Sequence, residues 1–200
     1  MKIFFIRHGE TDKNIGNKLH EKGDIETLNE TGIEQIEKTA EVLKNSHISV
    51  IFCSKELRAQ RSSEILSNIL ECPSIPVDDF EERNWGIYSN RPWSEVKEVL
   101  DPLTLEERYN YVPPEGESWK ASEERLINAF QEAIKKGDGE NIGMVTHGGA
   151  IRILMPYLLN APIEETFKHD PANASITEFD YDGKTFTNER IGDTSHLLSK

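Results

Sequence analysis

Two short apolar runs, one near each end of the chain, stop at a histidine that is followed by glycine. Residues 3–6 lead into Arg7-His8-Gly9, and residues 142–145 lead into Thr146-His147-Gly148. Apolar runs of this length are too short for globular helices and predict buried strands. Ligands of open α/β sheets bind beyond the carboxyl ends of the strands. The first run therefore predicts an active-site edge at residues 7–14. Because the same pattern of an apolar run, histidine and glycine occurs twice, chance is a poor explanation for it.

The remaining pattern alternates between short apolar runs and helical spacing. Apolar residues at helical intervals predict helices that begin at the caps Asn29, Ser54 and Ser118, and a further helix over residues 150–159 that is interrupted or kinked at Pro156. Additional strands are predicted over residues 48–53, 75–77, 174–181 and 184–191, and the last two form a hairpin. Strands that alternate with helices are typical of an α/β domain with a mostly parallel central sheet.

Residues 90–117 are the least regular part of the chain. Two short amphipathic helices are expected near residues 93–100 and 103–109, and Pro113-Pro114 ends the segment. Small helices inserted between a sheet and its site commonly form a cap. We therefore predict one domain over residues 1–200 with a helical cap insertion at about residues 90–117.

Composition excludes several classes of function. The chain has 200 residues and a formal net charge of −13, which disfavours binding to nucleic acid or to an anionic membrane. An anionic substrate would therefore need a local basic cluster. The two cysteines, Cys53 and Cys72, lack metal-ligand spacing. The start has too short an apolar run for a signal peptide, and no stretch approaches the roughly 20 residues of a membrane span, so a cytoplasmic protein is expected.

The histidine motifs also resemble those of a known family. Arg7-His8-Gly9-Glu10-Thr11 with Asn14 resembles the signature of the histidine phosphatase superfamily, also called the phosphoglycerate mutase-like family. His147-Gly148-Gly149 resembles its second-histidine motif. The resemblance covers nearly the whole chain and implies a three-layer α/β/α fold.

Two further segments extend this resemblance. The first turns after residue 54 carry Lys55, Arg58 and Arg61, although a helix N-terminus disfavours cations. They form either a solvated face or part of an anion site. Ser54 followed by Arg58-Ala59 is similar to the family pattern that supplies a second phosphate-binding arginine, which favours the anion site for Arg58.

The acidic loop over residues 78–90 resembles the family segment that carries a catalytic acid, and it aligns Glu82 with that acid. The chain departs from the family at Ser89-Asn90, where Glu-Gly is usual, and at Glu115, which replaces the first glycine of a Gly-Gly-Glu-Ser turn. Both departures lie near the predicted cap, which would select the substrate.

These residues suffice for phosphoryl transfer without a metal or cofactor. Such a reaction needs a nucleophile and cations on the non-bridging oxygens. His8 is the candidate nucleophile. Arg7 and Arg58 offer planar forks that match phosphate oxygens, and a protonated His147 would add a third positive donor.

The remaining candidates complete the site. Asn14 and the Gly148 amide would contact the phosphoryl oxygens. Glu82 would donate a proton to the leaving oxygen and later take one from water. The resemblance implies the same roles at the matching positions. The sequence contains no P-loop, zinc motif or dinucleotide fingerprint.

The sequence therefore predicts a phosphatase of the histidine acid phosphatase type. It would hydrolyse small phosphomonoesters through a phosphohistidine on His8, and its partner would be a small phosphorylated metabolite. A phosphoglycerate mutase-type phosphoryl transfer and a non-catalytic module that binds phosphorylated ligands stay open as alternatives. The sequence names neither the physiological substrate nor the oligomeric state.

Overall fold

The sheet places the two predicted histidine strands side by side at its centre. The computed structural model describes residues 1–198 of the chain. Within these residues the strands are β1 (Lys2–Arg7), β2 (Ile48–Ser54), β3 (Ser74–Val77), β4 (Asn141–Thr146), β5 (Ile176–Tyr181) and β6 (Phe186–Asp193). Their order is β3-β2-β4-β1-β5-β6. The pairings from β3 to β1 are parallel and those of β5 are antiparallel, which confirms the mostly parallel sheet.

Helices cover both faces of this sheet. The α-helices are α1 (Asp12–Ile15), α2 (Glu30–Leu43), α3 (Leu57–Leu70), α4 (Trp93–Leu100), α5 (Leu105–Asn110), α6 (Trp119–Gly137) and α7 (Gly148–Leu159). Single turns of 3₁₀-helix lie at Lys44–Ser46, Asp78–Phe80, Gly86–Tyr88 and Ser195–Leu197, and a longer one lies at Ile163–Lys168.

The side chains of β1 divide the core into two layers. Phe5 points to one face, where its ring centroid lies 5.4 Å from that of Phe130 in α6 and 6.4 Å from that of Phe179 in β5. Phe4 and Ile6 point to the other face and pack with buried residues of α2 and α3. Since alternate residues of a strand face opposite sides, this division confirms the three-layer α/β/α architecture.

The cap at the start of α2 agrees with the sequence. Asn29 is the N-cap, and its side-chain oxygen accepts the Gly32 N–H at 2.8 Å. Two other predicted starts were wrong. Ser54 ends β2 and the N-cap of α3 is Glu56. Helix α7 begins at Gly148 rather than at residue 150, and it continues through Pro156 to Leu159 without the predicted interruption.

The short helix α4 begins beside the loop that follows α1, whereas α5 packs against α6. Leu19 donates to the Arg91 carbonyl and accepts the Asn90 N–H, and the Asn17 carbonyl accepts the Trp93 N–H. Trp85 forms a small separate hydrophobic cluster with Val96 and Leu100 of α4. The segment thus joins the N-terminal loop, and its role as a cap stays a prediction.

The two departures from the family pattern both fall on left-handed backbone. Asn90 and Glu115 each have φ of 64°. Glycine adopts this region without a steric penalty and Asn tolerates it, whereas Glu adopts it at a cost. The glycine that the family pattern has in place of Glu115 therefore has a conformational reason.

Within residues 1–198, no helix combines the length and the apolar character needed to traverse a bilayer.

Candidate active site

The structure gathers all seven predicted site residues around one cavity of about 450 Å³. They are Arg7, His8, Asn14, Arg58, Glu82, His147 and Gly148. The register of the sheet explains the gathering, because Arg7 of β1 pairs with Thr146 of β4. The next residue of each strand is a histidine, and the two imidazole centroids lie 5.2 Å apart. Which of these residues act on a substrate stays a prediction.

The hydrogen bonds of His8 define its tautomer. Its Nδ1 lies 2.7 Å from the Gly9 carbonyl oxygen, which accepts only, so Nδ1 carries the proton. None of residues 1–198 hydrogen-bonds Nε2, which keeps its lone pair. Burial holds the pKa of His8 well below its usual value, and the charges of Arg58, His147 and Arg7 lower it further. The ring is therefore a neutral base with one nitrogen available.

The loop that follows β1, residues 8–11, is fixed by close backbone packing. A Cβ on Gly9 would lie 2.3 Å from the Gly32 carbonyl oxygen at the start of α2, so glycine is required there. The Gly9 N–H donates to the Ser62 hydroxyl of α3 at 3.1 Å. Asn173 donates to the His8 carbonyl at 3.1 Å and to the Asn14 side-chain oxygen at 2.9 Å. The loop is thus tied to three separate parts of the chain.

Asn14 also caps the helix in which it lies. Thr11 is the N-cap of α1, and its backbone N–H donates to the Asn14 side-chain oxygen at 3.2 Å. With Asn173 as a second donor, that oxygen is fully used. The Asn14 amide nitrogen is left as a donor toward the cavity, as its predicted role requires.

Arg7 and Arg58 use only part of their hydrogen-bonding capacity inside the protein. Arg7 donates from Nη1 to the Pro171 carbonyl at 2.7 Å, and Arg58 donates from Nη2 to Glu56. The buried Nε of Arg7 and the buried Nε and Nη1 of Arg58 have no partner among the described residues. Burial lowers the pKa of both guanidinium groups, yet arginine keeps its charge in proteins. Buried donors without partners are costly, so this pair is suited to bind an anion.

His147 is held from behind by two groups that sequence reasoning missed. Its Nε2 lies 2.8 Å from the Ser54 hydroxyl and 2.9 Å from a carboxylate oxygen of Glu56. Its Nδ1 is buried and has no partner in residues 1–198. The pKa of Glu56 is lowered to about 2, because His147 and Arg58 outweigh the cost of its burial. The sequence offered one signal, the polar residues Ser54, Glu56 and Arg58 at alternate positions. That pattern does not reveal that His147 contacts the first two.

Glu82 is oriented by two backbone amides. Its carboxylate accepts the Gly149 N–H at 2.9 Å and the Arg83 N–H at 2.8 Å. A Cβ on Gly149 would lie 2.3 Å from that carboxylate, and a Cβ on Gly148 would lie 3.2 Å from Arg7 Nε. The glycine pair that begins α7 therefore admits the acid and the arginine together.

The outer walls of the cavity are cationic and aromatic. Five further cations line it, although the chain is strongly acidic: Lys18, Arg83, Lys97, Arg108 and Arg152. Four large aromatic side chains also line it: Trp85, Trp93, Trp119 and Phe167. Arg83 is buried against the Trp85 ring, with its guanidinium carbon 4.1 Å from the centroid. The structure thus has the local basic cluster that an anionic ligand requires.

One neighbouring trio has the side chains of a metal site. His20, Asp24 and Glu26 place ligand atoms within 4.8 Å of one another. His20 Nε2 lies 2.9 Å from Glu26, and the Lys13 ammonium bonds Asp24. A cation already in contact with Asp24 disfavours a second one. The expectation of metal-independent chemistry stays a prediction, and this trio is where it is most easily tested.

Comparisons with known proteins identify the family of the chain. Residues 3–194 match the model of the histidine phosphatase superfamily (branch 1). The chain is 32% identical to a Bacillus subtilis protein named uncharacterized phosphatase PhoE over 157 residues, which are 76% of this chain and 75% of that protein. It is 28% identical to the probable phosphoglycerate mutase GpmB of Yersinia pestis, over 98% of this chain and 95% of that one.

Solved structures show the same fold. YhfR of Bacillus stearothermophilus superposes with a TM-score of 0.86 at 24% identity, over 98% of both chains. A phosphoserine phosphatase of Entamoeba histolytica superposes with a TM-score of 0.84 at 20% identity, over 98% of this chain and 99% of that one. With two adjacent histidines at the centre of this fold, and a family model that matches almost its whole length, the chain belongs to the histidine phosphatase superfamily.

Proposed function

We propose that the protein is a phosphatase that hydrolyses small phosphomonoesters through a phosphohistidine on His8. The observation that carries the proposal is the pairing of a neutral His8, whose Nε2 lone pair is available, with buried nitrogens of Arg7, Arg58 and His147 that have no partner among residues 1–198 and lie at the same cavity. A lone pair surrounded by cationic donors suits attack on a phosphorus atom that carries negative oxygens. The PhoE relative, which is named a phosphatase, favours the same activity.

In the first step, His8 Nε2 attacks phosphorus, so that the N–P bond forms while the ester P–O bond breaks. Arg7, Arg58 and His147 hold the non-bridging oxygens as their charge redistributes. Protonated Glu82 gives its proton to the leaving oxygen, and the alcohol departs. In the second step, Glu82 takes a proton from water, the oxygen attacks phosphorus, and the N–P bond breaks to release inorganic phosphate.

Rapid quenching with a labelled phosphomonoester tests the intermediate. We expect a phosphoenzyme that is labile to acid and stable to base, as phosphohistidine is. The label should be absent from the His8→Ala variant and present in His47→Asn, a change at an exposed histidine outside the cavity. Label on a serine or an aspartate would contradict the proposal.

A mutase is the second candidate, because the GpmB similarity spans 98% of this chain. A mutase returns the phosphoryl group to its substrate, whereas a phosphatase passes it to water. We expect one inorganic phosphate for each alcohol released from a phosphorylated hydroxy acid. Positional isomers without net release of phosphate would establish the mutase. Binding without turnover of any common phosphorylated metabolite would establish the non-catalytic module.

A further inference from the structure

Glu56 is a buried acid at the back of the site that the proposed reaction leaves without a task. Its side chain is 3% exposed, and it lies at the N-cap of α3, two residues after β2 ends. A buried carboxylate is costly unless it is paired. Its presence beside two groups assigned to phosphate calls for a reason.

One oxygen of this carboxylate serves both groups. Glu56 Oε2 contacts Arg58 Nη2 and lies 2.9 Å from His147 Nε2. The same Nε2 lies 2.8 Å from the Ser54 hydroxyl, which in turn accepts the Glu56 backbone N–H at 3.3 Å. The other nitrogens of these two side chains, His147 Nδ1 and Arg58 Nε and Nη1, are buried and have no partner in the described part of the chain.

This arrangement determines which nitrogen of His147 carries a proton. An ionised carboxylate repels a bare lone pair, so Nε2, which lies 2.9 Å from Glu56 and 2.8 Å from the Ser54 hydroxyl, carries a proton. A neutral His147 then carries its proton on Nε2 and has a bare Nδ1, which cannot donate to a phosphoryl oxygen. Only the imidazolium has a second N–H, at Nδ1, for that purpose.

We propose that Glu56 is a positioning residue that keeps His147 protonated and directs its Nδ1–H, together with the free donors of Arg58, at the phosphoryl oxygens. The inference rests on the proposed function, since it assigns His147 to the phosphoryl group. In this role the negative charge of Glu56 compensates the positive charge of the His147 imidazolium.

Among residues 1–198, none of the other titratable groups near His147 supplies a negative charge in contact with its ring. His8 is neutral, with its pKa held low. His20, whose pKa is lowered to about 3, is also neutral at pH 7. Arg58 opposes a second positive charge, so Glu56 is the negative group in direct contact with the ring. Because the pKa of Glu56 is lowered to about 2, its charge is constant from pH 4 upward.

The test follows His147 by NMR of protein labelled with ¹⁵N-histidine, with its signals assigned from the His147→Gln variant. In the native protein we expect the neutral ring, at high pH, to carry its proton on Nε2. In Glu56→Gln, which keeps the size and loses the charge, the ring should deprotonate about 1–2 pH units lower, as loss of an adjacent opposite charge requires. Glu56→Asp keeps the charge and should shift the titration less.

The control is Glu64→Gln, which removes an exposed acid that is paired with Arg61 on the same helix. It should leave the His147 titration unchanged. A merely structural Glu56 would lower the melting temperature of the variant without moving the titration. A shift below 0.3 pH units in folded Glu56→Gln, or a neutral native ring protonated on Nδ1, would overturn the proposal, and the second result needs no change at Glu56.

Activity provides a separate readout. The alkaline limb of kcat/KM should move to lower pH in Glu56→Gln by the same interval as the NMR titration. If no phosphomonoester is turned over, the proposed function fails, while the NMR result still decides the role of Glu56. If turnover is normal and the titration does not move, the role of Glu56 fails alone.

Discussion

Arg58 shows how a single side chain serves both the fold and the site. One nitrogen of its fork is bound to Glu56, and the two others have no partner within residues 1–198. A fork with five donors can divide its work in this way, whereas an ammonium is a single point of charge. Arginine at this position is therefore a requirement of geometry as well as of charge.

Arg58→Lys should reduce kcat/KM strongly. A lysine can reach Glu56 or the phosphate, but it cannot offer a planar pair of donors to both. We expect a loss of about 2–4 kcal/mol of transition-state stabilisation, by analogy with removal of one oxyanion-hole donor. Steady-state kinetics with p-nitrophenyl phosphate measure it. Arg61→Lys, at an exposed position three residues on, is the matched control, and a loss under threefold for Arg58→Lys would contradict contact with phosphate.

Glu82→Gln should act according to the leaving group. An alkoxide needs a proton, and general acid help is typically worth about 10²–10⁴-fold, whereas nitrophenolate leaves unaided. We expect slow phosphorylation of His8 by alkyl phosphates and much faster phosphorylation by p-nitrophenyl phosphate. The nitrophenyl ester should then give a burst followed by slow turnover, because the second step lacks its base.

Stopped-flow release of nitrophenol and steady-state rates on an alkyl phosphate measure this difference. The control is Glu81→Gln, which changes the neighbouring acid whose partner is Lys22. Equal losses of the phosphorylation rate on both substrates would reject Glu82 as the acid and direct attention to Glu81 and Asp79.

At the scale of elements, the start of α7 carries much of the site geometry. Glycine is unfavourable in a helix, so the sequence predicts that α7 begins after the glycine pair, at residue 150. The helix begins at Gly148 because the absent side chains leave room for Arg7 and Glu82. The low helix propensity of glycine is therefore outweighed here by contacts with Arg7 and Glu82, which lie far away along the chain.

Gly149→Ala should displace Glu82 while the helix persists. The new Cβ would lie 2.3 Å from the carboxylate, and alanine favours helix by roughly 1 kcal/mol over glycine. We expect kcat on alkyl phosphates to fall at least tenfold, with little change in the melting temperature. Gly16→Ala is the control, since its Cβ would meet nothing closer than 3.6 Å. Unchanged kcat in Gly149→Ala would mean that the position of Glu82 is unimportant.

The sequence predicted most elements because their signals are local. Asn29 caps α2 as expected, and the two histidine strands end where the apolar runs stop. Glu56 was missed because its role depends on His147, which β4 brings from 91 positions away along the chain. Asn173 gave no local signal either, since a single polar residue before a strand is unremarkable. The sequence does not reveal which loops come into contact in the folded protein.

At the scale of the whole molecule, buried histidines couple stability to pH. The pKa of His20 falls from 6.5 to about 3 on folding, mainly through burial. Between these values the unfolded chain binds a proton that the folded protein excludes, so the free energy of unfolding decreases as pH falls below 6.5. Each such proton contributes up to about 1.4 kcal/mol per pH unit.

His20→Gln should therefore flatten the loss of stability between pH 6.5 and 5. Urea unfolding at several pH values measures the slope, which should fall by up to about 1.4 kcal/mol per pH unit. His47→Asn, at an exposed position that Asn also tolerates, should leave the slope as it is. An unchanged slope in His20→Gln would show that folding leaves the pKa of this histidine unshifted.

Catalysis should be independent of metal. Arginines and His147 supply the positive charge at the cavity, and Lys13 contacts the trio of His20, Asp24 and Glu26. Activity should survive prolonged treatment with a strong chelator, measured as kcat/KM before and after. Loss of activity that Mg²⁺ or Zn²⁺ restores would place a metal in the mechanism, and Glu26→Gln would then test whether the trio holds it.

The position of β1 between β4 and β5 has a consequence for biosynthesis. Strand β1 leaves the ribosome before both of its partners, so its first edge is paired only after residues 141–146 have emerged and its second only after residues 176–181. Until then it is an apolar strand with unpaired edges, of the kind that chaperones recognise and that aggregates when crowded. Ala174 and Ser175, just before β5, hydrogen-bond the backbone of Arg7 and His8, so the loop that carries His8 is completed late in synthesis. We expect nascent chains that end between β4 and β5, after His147, to carry both histidines and yet be inactive.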